Sequence, residues 1–144
     1  MLIEKILEQK GRNCATVRPD ATIATVVSVL AERRIGAVVV EDLRGGIVGI
    51  FSERDLVKLL ASRGADALAV RVKEVMTSPV ITCKPGDQLH AVMTIMNDRR
   101  IRHLPVVVND ALAGMISIRD LIRHRLSEKE TEAAVLLDIA RFQG

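Results

Sequence analysis

The chain has 144 residues, a formal net charge of +3, and an aliphatic composition that includes two Phe and no Trp or Tyr. A chain of this length can bury about two-thirds of its unfolded surface, which is enough for one well-packed domain. The scarcity of aromatic rings argues against binding to single-stranded nucleic acid, whose bases stack on such rings. The low, evenly spread charge argues against a duplex-binding surface.

The first half of the chain is predicted to alternate helices and strands, because helical and extended apolar patterns follow one another. In chain order, the predicted elements are a helix over residues 2–7, an extended piece over 14–17, a helix after Pro19, strands over 35–40 and 47–51, a helix from Ser52, and a link over 61–71. Gly11 is expected to end the first helix. The two strands are expected to form a hairpin.

The second half repeats this order. Its predicted elements are a short helix ending at Met76, an extended piece over 80–83, a helix opened by residues 85–87, strands over 103–108 and 112–116, and a helix from Ser117. Asn109 and Asp110 lie between the two strands and predict the turn of a second hairpin.

A last helix is predicted over residues 128–142. Its apolar positions lie on one side and are Val135, Leu136, Ile139 and Phe142. We expect this helix either to fold back onto the rest of the chain or to contact another chain.

Two octapeptides carry the clearest internal repeat: GIFSERDL at residues 49–56 and GMISIRDL at residues 114–121. A single Ser-x-x-Asp spacing is typical of a helix start, where the Ser and the acid satisfy backbone N–H groups. The octapeptides lie 65 residues apart, and other matches, such as Pro19 with Pro85, lie 66 apart. Self-similarity at a nearly fixed period predicts two copies of one structural unit.

Cysteines and histidines show no ligand spacing. Cys14 and Cys83 are far apart in sequence and are expected to be reduced thiols in or near the core. His90, His103 and His124 are not spaced as metal ligands, with each other or with the cysteines. We therefore expect no metal site.

The sequence offers no motif for catalysis or secretion. No Ser-His-acid constellation and no Gly-rich phosphate loop of the Walker or Rossmann kind is recognisable, so we expect a protein that is not an enzyme. Acidic residues interrupt the apolar pattern of the N-terminus, which therefore predicts neither a signal peptide nor a membrane span. A cytoplasmic location is the expectation.

Four features together resemble a tandem pair of cystathionine-β-synthase (CBS) domains, also called a Bateman module. They are the β-α-β-β-α order, the paired Gly-x-x-Ser-x-x-Asp segments, Val-Lys-Glu-Val-Met-Thr before the second copy, and Arg-His-Leu-Pro-Val-Val in its first strand. The likeness covers roughly residues 1–126 and is to the stand-alone bacterial members of that family. It implies an α/β (α+β) fold in which two repeats pack sheet to sheet about a pseudo-two-fold axis.

On this resemblance the chain divides into four parts. Residues 1–60 form the first repeat with the N-terminal helix, 61–71 the linker, 72–126 the second repeat, and 127–144 a C-terminal helix.

The resemblance also implies two composite clefts for adenine nucleotides. The residues implied to hold ribose are Asp55 and Asp120, and those implied to hold phosphate are Ser52, Ser117, Arg102, His103 and Arg119. Adenine is implied to contact Asn13, Cys14, Ala15, Ile35, Gly36 and Ala37 in the cleft of Ser117 and Asp120, and Ile81, Thr82, Ile101 and Pro105 in the opposite cleft. A carboxylate can accept hydrogen bonds from two ribose hydroxyls, and a helix start suits a phosphate.

The two clefts are expected to differ. Gly36 and Ala37 stand in the first repeat where the second has Arg102 and His103, so the cleft of Asp55 is expected to bind phosphate less well. An exposed basic strand edge is an equal alternative for the pair Arg102 and His103.

The function implied is a regulatory sensor of adenine nucleotides, with AMP first and ATP and ADP as related ligands. Two alternatives stay open: an NAD(H) sensor of the same fold, and a nucleotide-independent adaptor that acts through its C-terminal helix. The resemblance and the apolar last helix imply a homodimer that signals to an unknown downstream protein, with no nucleic acid and no membrane as partner.

Overall fold

The computed structural model describes residues 1–143 of the chain and the side chains of residues 1–141. The elements, in chain order, are α1 (Ile3–Lys10), β1 (Thr16–Val17), α2 (Ile23–Arg33), β2 (Ala37–Glu41), β3 (Ile47–Ser52), α3 (Glu53–Arg63), a 3₁₀ helix (Gly64–Ala69), α4 (Val72–Val75), α5 (Leu89–Arg99), β4 (His103–Val108), β5 (Ala111–Ser117) and α6 (Ile118–Gln143). The predicted mixed α/β order of two similar halves is confirmed.

The first half contains a three-stranded sheet in the order β1-β2-β3, with β1 parallel to β2 and β3 antiparallel to it. Helix α2 begins after Thr22, whose hydroxyl accepts a hydrogen bond from the Thr25 N–H at 3.3 Å. Its apolar stripe packs on the sheet, and Ile23, Val26 and Phe51 are fully buried there. This half therefore has its own core.

The second half contains the hairpin of β4 and β5, whose turn is Asn109–Asp110 as predicted. Both turn residues have positive φ angles, 51° and 63°, which Asn and Asp tolerate better than other residues. The predicted extended piece before α5 contacts the sheet at a single parallel bridge between Cys83 and Val106. This bridge lies where β1 pairs with β2 in the first half.

The two halves exchange their leading helices. Ile3, Ile6 and Leu7 of α1 are fully buried in the core of the second half, and the Ile3 N–H donates to the Asp87 carbonyl at 3.0 Å. In the same way Val72 of α4 is buried in the core of the first half.

This exchange differs from our division of the chain, which counted the N-terminal helix with the first repeat. An amphipathic pattern shows that a helix must be covered, but it does not identify the surface that covers it. In the folded chain, α1 is covered by the second repeat.

A third cluster of apolar side chains joins the two sheets. Ala37 and Val39 of β2 and Met115 of β5 are buried in it, with Cys14 and Leu112 packed against them. The halves thus pack sheet to sheet, as the family resemblance implies.

The C-terminal part of the chain differs from prediction in one respect. The helix from Ser117 and the predicted last helix form one continuous helix of 26 residues, α6. The sequence has no Gly or Pro between residues 115 and 143 to end a helix, and Ser127 is accommodated within it.

The far end of α6 is exposed. The predicted apolar positions Val135, Leu136 and Ile139 are 51%, 64% and 46% exposed, so this end does not fold back onto the rest of the chain. The side chain of Phe142, which completes the predicted stripe, lies outside the described residues. None of the described helices has the length and apolar character that crossing a membrane requires.

Candidate functional site

A cavity of about 660 Å³ lies between the two halves, where β2 and β4 begin and where α3 and α6 start. Most of the residues that the sequence suggested for a ligand site line this cavity. Those lining it are Asn13, Cys14, Ala15, Ile35, Gly36, Ala37, Ser52, Asp55, Ile101, Arg102, His103, Ser117, Arg119 and Asp120. The two Ser-x-x-Asp segments therefore border one continuous cavity.

Three suggested residues do not line this cavity: Ile81, Thr82 and Pro105. Ile81 packs against the core of the second half, and Pro105 is buried in β4. Thr77, from the stretch that precedes α5, borders the cavity instead. It is held there because its N–H donates to the Ile50 carbonyl at 2.9 Å and its carbonyl accepts from the Ile50 N–H at 3.1 Å.

Both Ser-x-x-Asp segments form helix-capping boxes. In the first, the Ser52 hydroxyl accepts from the Asp55 N–H at 3.3 Å, and Asp55 Oδ2 accepts from the Ser52 N–H at 2.9 Å. In the second, the corresponding distances between Ser117 and Asp120 are 3.1 and 2.9 Å. In each acid the bonds from described residues all reach Oδ2, so Oδ1 keeps its capacity to accept hydrogen bonds from a ligand.

Each capping box is tied to the start of its own hairpin. The Glu53 N–H donates to the Gly36 carbonyl at 2.9 Å, and the Ile118 N–H donates to the Arg102 carbonyl at 2.8 Å. Helix start and strand start are therefore held side by side at the cavity wall.

Gly49 and Gly114, which open the two motifs, allow the segment at the start of each half to lie close to a sheet: the end of α4 at Gly49 and α1 at Gly114. A Cβ on Gly49 would overlap the Sδ and Cγ atoms of Met76, and one on Gly114 would lie 2.9 Å from a methyl group of Leu7. The repeated Gly is thus explained by packing at both places.

Lys10, at the end of α1, is a cavity residue that the sequence did not suggest. Its Nζ lies 2.6 Å from Asp120 Oδ2 and 2.8 Å from the Met115 carbonyl oxygen. Burial by itself raises the pKa of Asp120, but the hydrogen bonds from Lys10 and Ser117 outweigh it, so this pKa lies below its ordinary value. Asp120 is therefore held as a carboxylate.

His103 lies between the two halves of the cavity. A Cβ on Gly36 would lie 3.0 Å from its Nε2, so the ring rests against the Gly36 backbone of the opposite repeat. Burial lowers the pKa of His103, against the opposing influence of Glu53 and Asp120. At neutral pH the ring is uncharged, and a phosphate placed beside it would favour its protonation.

Positively charged side chains dominate the cavity lining, which has seven Lys or Arg residues against three acidic ones. Those that the sequence analysis missed are Lys10, Arg34, Arg54, Lys58 and Arg100. Arg34 and Arg100 follow α2 and α5 directly, with φ angles of 53° and 54°. Their repetition 66 residues apart was the feature of the sequence that could have pointed to them as cavity residues. The excess of positive charge suits an anionic ligand.

Of the two cysteines, Cys14 lines this cavity as a half-buried thiol, and Cys83 is a buried one. Burial raises the pKa of Cys14 to about 11 and that of Cys83 to about 12, so both remain thiols at neutral pH. Within residues 1–141, no group of three or more His, Cys, Asp or Glu side chains is placed to hold a metal ion. The cavity offers hydrogen-bond acceptors for hydroxyls and a basic lining for an anion.

Comparison with known proteins finds similarity to proteins that contain CBS domains. A sequence model of the CBS domain matches residues 10–62 and again residues 72–127. A crystal structure of a CBS-domain containing protein from Agrobacterium tumefaciens is 43% identical, has a TM-score of 0.83, and is matched over 86% of this chain and 92% of its own. The CBS domain protein from Pyrobaculum aerophilum complexed with AMP is 31% identical, with a TM-score of 0.74 over 83% of this chain and 89% of its own.

Among curated sequences, an uncharacterised 33.4 kDa protein in a ribosomal RNA operon of Thermofilum pendens is 39% identical over 129 residues. The match covers 85% of this chain but 41% of that protein. This chain therefore corresponds to less than half the length of that relative.

Proposed function

The chain belongs to the CBS domain family, and we propose that it is a regulatory module that binds an adenine nucleotide, AMP first, in the cavity between its two repeats. The observation that carries this proposal is the pair of capping boxes at one basic cavity, each with a carboxylate oxygen available to a ligand. The AMP complex of the Pyrobaculum aerophilum relative supports the same ligand class.

The half of the cavity around Ser117 and Asp120 has the groups that AMP requires. The start of α6 offers backbone N–H groups and the Ser117 hydroxyl to the phosphate, and Asp120 offers an acceptor to the ribose hydroxyls. Cys14, Ala15 and Gly36 leave room for a planar base.

As a regulatory module, the protein would signal by a change in packing between its repeats rather than by chemistry on the ligand. The cavity is formed by both repeats, so a ligand that contacts both favours the arrangement in which they are close. ATP, ADP and NAD(H) share the adenosine part and are candidates for the same site.

The exposed end of α6 favours a second role, in assembly. Val135, Leu136 and Ile139 leave apolar surface uncovered within one chain, which suits contact with a second copy or with a downstream protein. Light scattering at high micromolar concentration tests the homodimer, and a monomeric mass would contradict it.

Thermal unfolding with AMP and adenosine tests the nucleotide proposal. At about a hundred times its dissociation constant, AMP should add about 2.7 kcal/mol to the free energy of unfolding. Arg102→Ala should weaken AMP binding by about 1.5 to 3 kcal/mol and adenosine binding much less, because only AMP has a phosphate to lose. Absence of any shift with AMP, ADP, ATP or NADH would reject the proposal and favour the adaptor.

A further inference from the structure

A second, smaller cavity of about 250 Å³ lies between the end of α1 and the first half of α6. Lys10 lines both this cavity and the larger one. The other lining residues are Gln9, Arg123, His124 and Ser127. The lining thus combines basic side chains with neutral hydrogen-bond donors and contains no acid in the part of the chain that the structure describes.

Two of the three basic side chains of this cavity, Arg123 and His124, are available to a ligand, whereas Lys10 is paired with Asp120. Arg123 and His124 form no ion pair with another described residue. The two acids nearest to them along α6 already have partners: Asp120 is paired with Lys10 at 2.6 Å, and Glu128 with Arg125 at 3.5 Å and with the amino group of Met1 at 3.7 Å. A small anion entering the cavity would therefore meet donors without having to displace a carboxylate.

The cavity has a defined position relative to the proposed nucleotide. Ser117 stands at the start of α6, Asp120 lies one turn along, and Arg123 and His124 lie one turn further on the same side, because residues three and four apart are neighbours on a helix. If the 5′-phosphate lies at Ser117 and the ribose at Asp120, the smaller cavity lies beyond the ribose hydroxyls. This step depends on the proposed function.

We infer that the smaller cavity binds a second phosphate, carried on the 2′ or 3′ carbon of the ribose. Arg123 and His124 would donate charge-assisted hydrogen bonds to it, which are stronger than those between neutral groups. Lys10, which stands between Asp120 and the cavity, reduces the repulsion between that carboxylate and the added phosphate. The preferred ligand is then an adenine nucleotide phosphorylated on its ribose rather than one with a longer 5′ chain.

The first repeat lacks the same set of residues. The positions corresponding to Lys10, Arg123, His124 and Ser127 are Met76, Lys58, Leu59 and Ser62. One basic residue replaces three, so the second phosphate is expected at the Asp120 half of the cavity alone.

Calorimetry at pH 7 with AMP, ADP, adenosine 3′,5′-bisphosphate and adenosine 2′,5′-bisphosphate tests this inference. One of the two bisphosphates should bind about tenfold tighter than AMP, the value of one charge-assisted hydrogen bond after the loss of a ribose hydroxyl. Which isomer gains identifies the carbon that carries the phosphate. ADP should bind within about twofold of AMP, because its added phosphate extends from the other end of the ribose.

Two variants distinguish a contribution of the cavity residues to bisphosphate affinity from a general effect of positive charge on α6. In Arg123→Gln combined with His124→Gln, the ratio of bisphosphate to AMP affinity should fall to about one. Arg125→Gln removes a positive charge from the same helix at a residue that lines neither cavity, and should keep the ratio.

The outcomes distinguish this inference from the proposed function. If AMP binds and neither bisphosphate gains, or if the gain survives the double variant, the inference alone is wrong. If ADP gains instead and loses its gain in the double variant, the cavity serves the 5′ chain and the ribose-side assignment is wrong. If none of the four ligands binds and thermal unfolding shows no shift with ATP or NADH, both proposals fail.

Discussion

The two halves of the cavity share one backbone design but differ in the side chains that control charge. Both present a Ser-x-x-Asp capping box beside the start of a hairpin. Around Asp120, Lys10 supplies an ion pair at 2.6 Å. The corresponding leading segment in the first half has Met76, which packs on Gly49 and supplies no charge.

The strand starts differ in the same sense. His103 begins β4, whereas Ala37 begins β2 at the corresponding place. The groups that build the local structure are therefore repeated in both halves, while the groups that would select a ligand are not. A duplicated fold can in this way keep the same backbone structure in both repeats while differences in side chains give the two halves of the cavity different ligand preferences.

The largest expected effect comes from breaking the exchange of leading helices. Leu7 is fully buried in the second half, so Leu7→Ala should lower the free energy of unfolding by about 2 to 5 kcal/mol. Hydrogen exchange should accelerate in β4, β5 and α5 more than in β2 and β3. Leu43→Ala, at a position that is 89% exposed, is the control. A change in stability below about 0.5 kcal/mol for Leu7→Ala would contradict the packing of α1.

The next effect concerns the two acids. Asp120→Asn should weaken AMP binding by about 1.5 to 3 kcal/mol, because it removes a charge and turns one acceptor into a donor. Asp55→Asn should cause a smaller loss if its half is the weaker site. Calorimetry with AMP and its 2′-deoxy form checks both, and the 2′-deoxy form should be less sensitive to Asp120→Asn. Undiminished affinity in both variants would leave the motifs with helix capping alone.

The two motif glycines are expected to differ in cost. Gly49→Ala should destabilise the protein by about 1 to 3 kcal/mol. The added methyl group would meet the Cβ, Cγ and Sδ atoms of Met76, so the whole Met76 side chain would have to move. Gly114→Ala should cost less, since one methyl group of Leu7 is the main obstacle. Urea denaturation of the two variants measures the difference. Equal costs would show that the leading segments relax equally well.

The smallest effect concerns the ion pair that distinguishes the halves. Lys10→Met copies the residue of the first repeat and should lower stability at pH 7 by about 0.2 to 1 kcal/mol. The pKa of Asp120 is lowered in the folded protein, so its contribution is present above about pH 4 and is lost as the pH falls through the lowered value. Urea denaturation between pH 7 and pH 3 should therefore show the difference from the natural sequence shrinking in acid. A difference that is independent of pH would show that Lys10 acts by packing.

Much of the local structure was predictable because its signals lie close together along the chain. Ser52 caps a helix through a residue three positions away, and Asn109–Asp110 turns a hairpin whose strands adjoin it. The period of 65 to 66 residues predicted two copies. The prediction of a separate last helix over residues 128–142 was wrong, because the segment has no Gly or Pro and the helix that starts after Ser117 continues through it.

The sequence by itself therefore determined the two repeated units, their helix starts and the residue types available to a ligand. Only the tertiary structure decided that α1 is covered by the second repeat, that both motifs border one cavity, and that Ile81, Thr82 and Pro105 lie away from it. Lys10 and Asp120 are 110 residues apart, and nothing in either neighbourhood indicates the other. Capping and periodicity act within a few residues, whereas the meeting of distant groups depends on how whole elements pack.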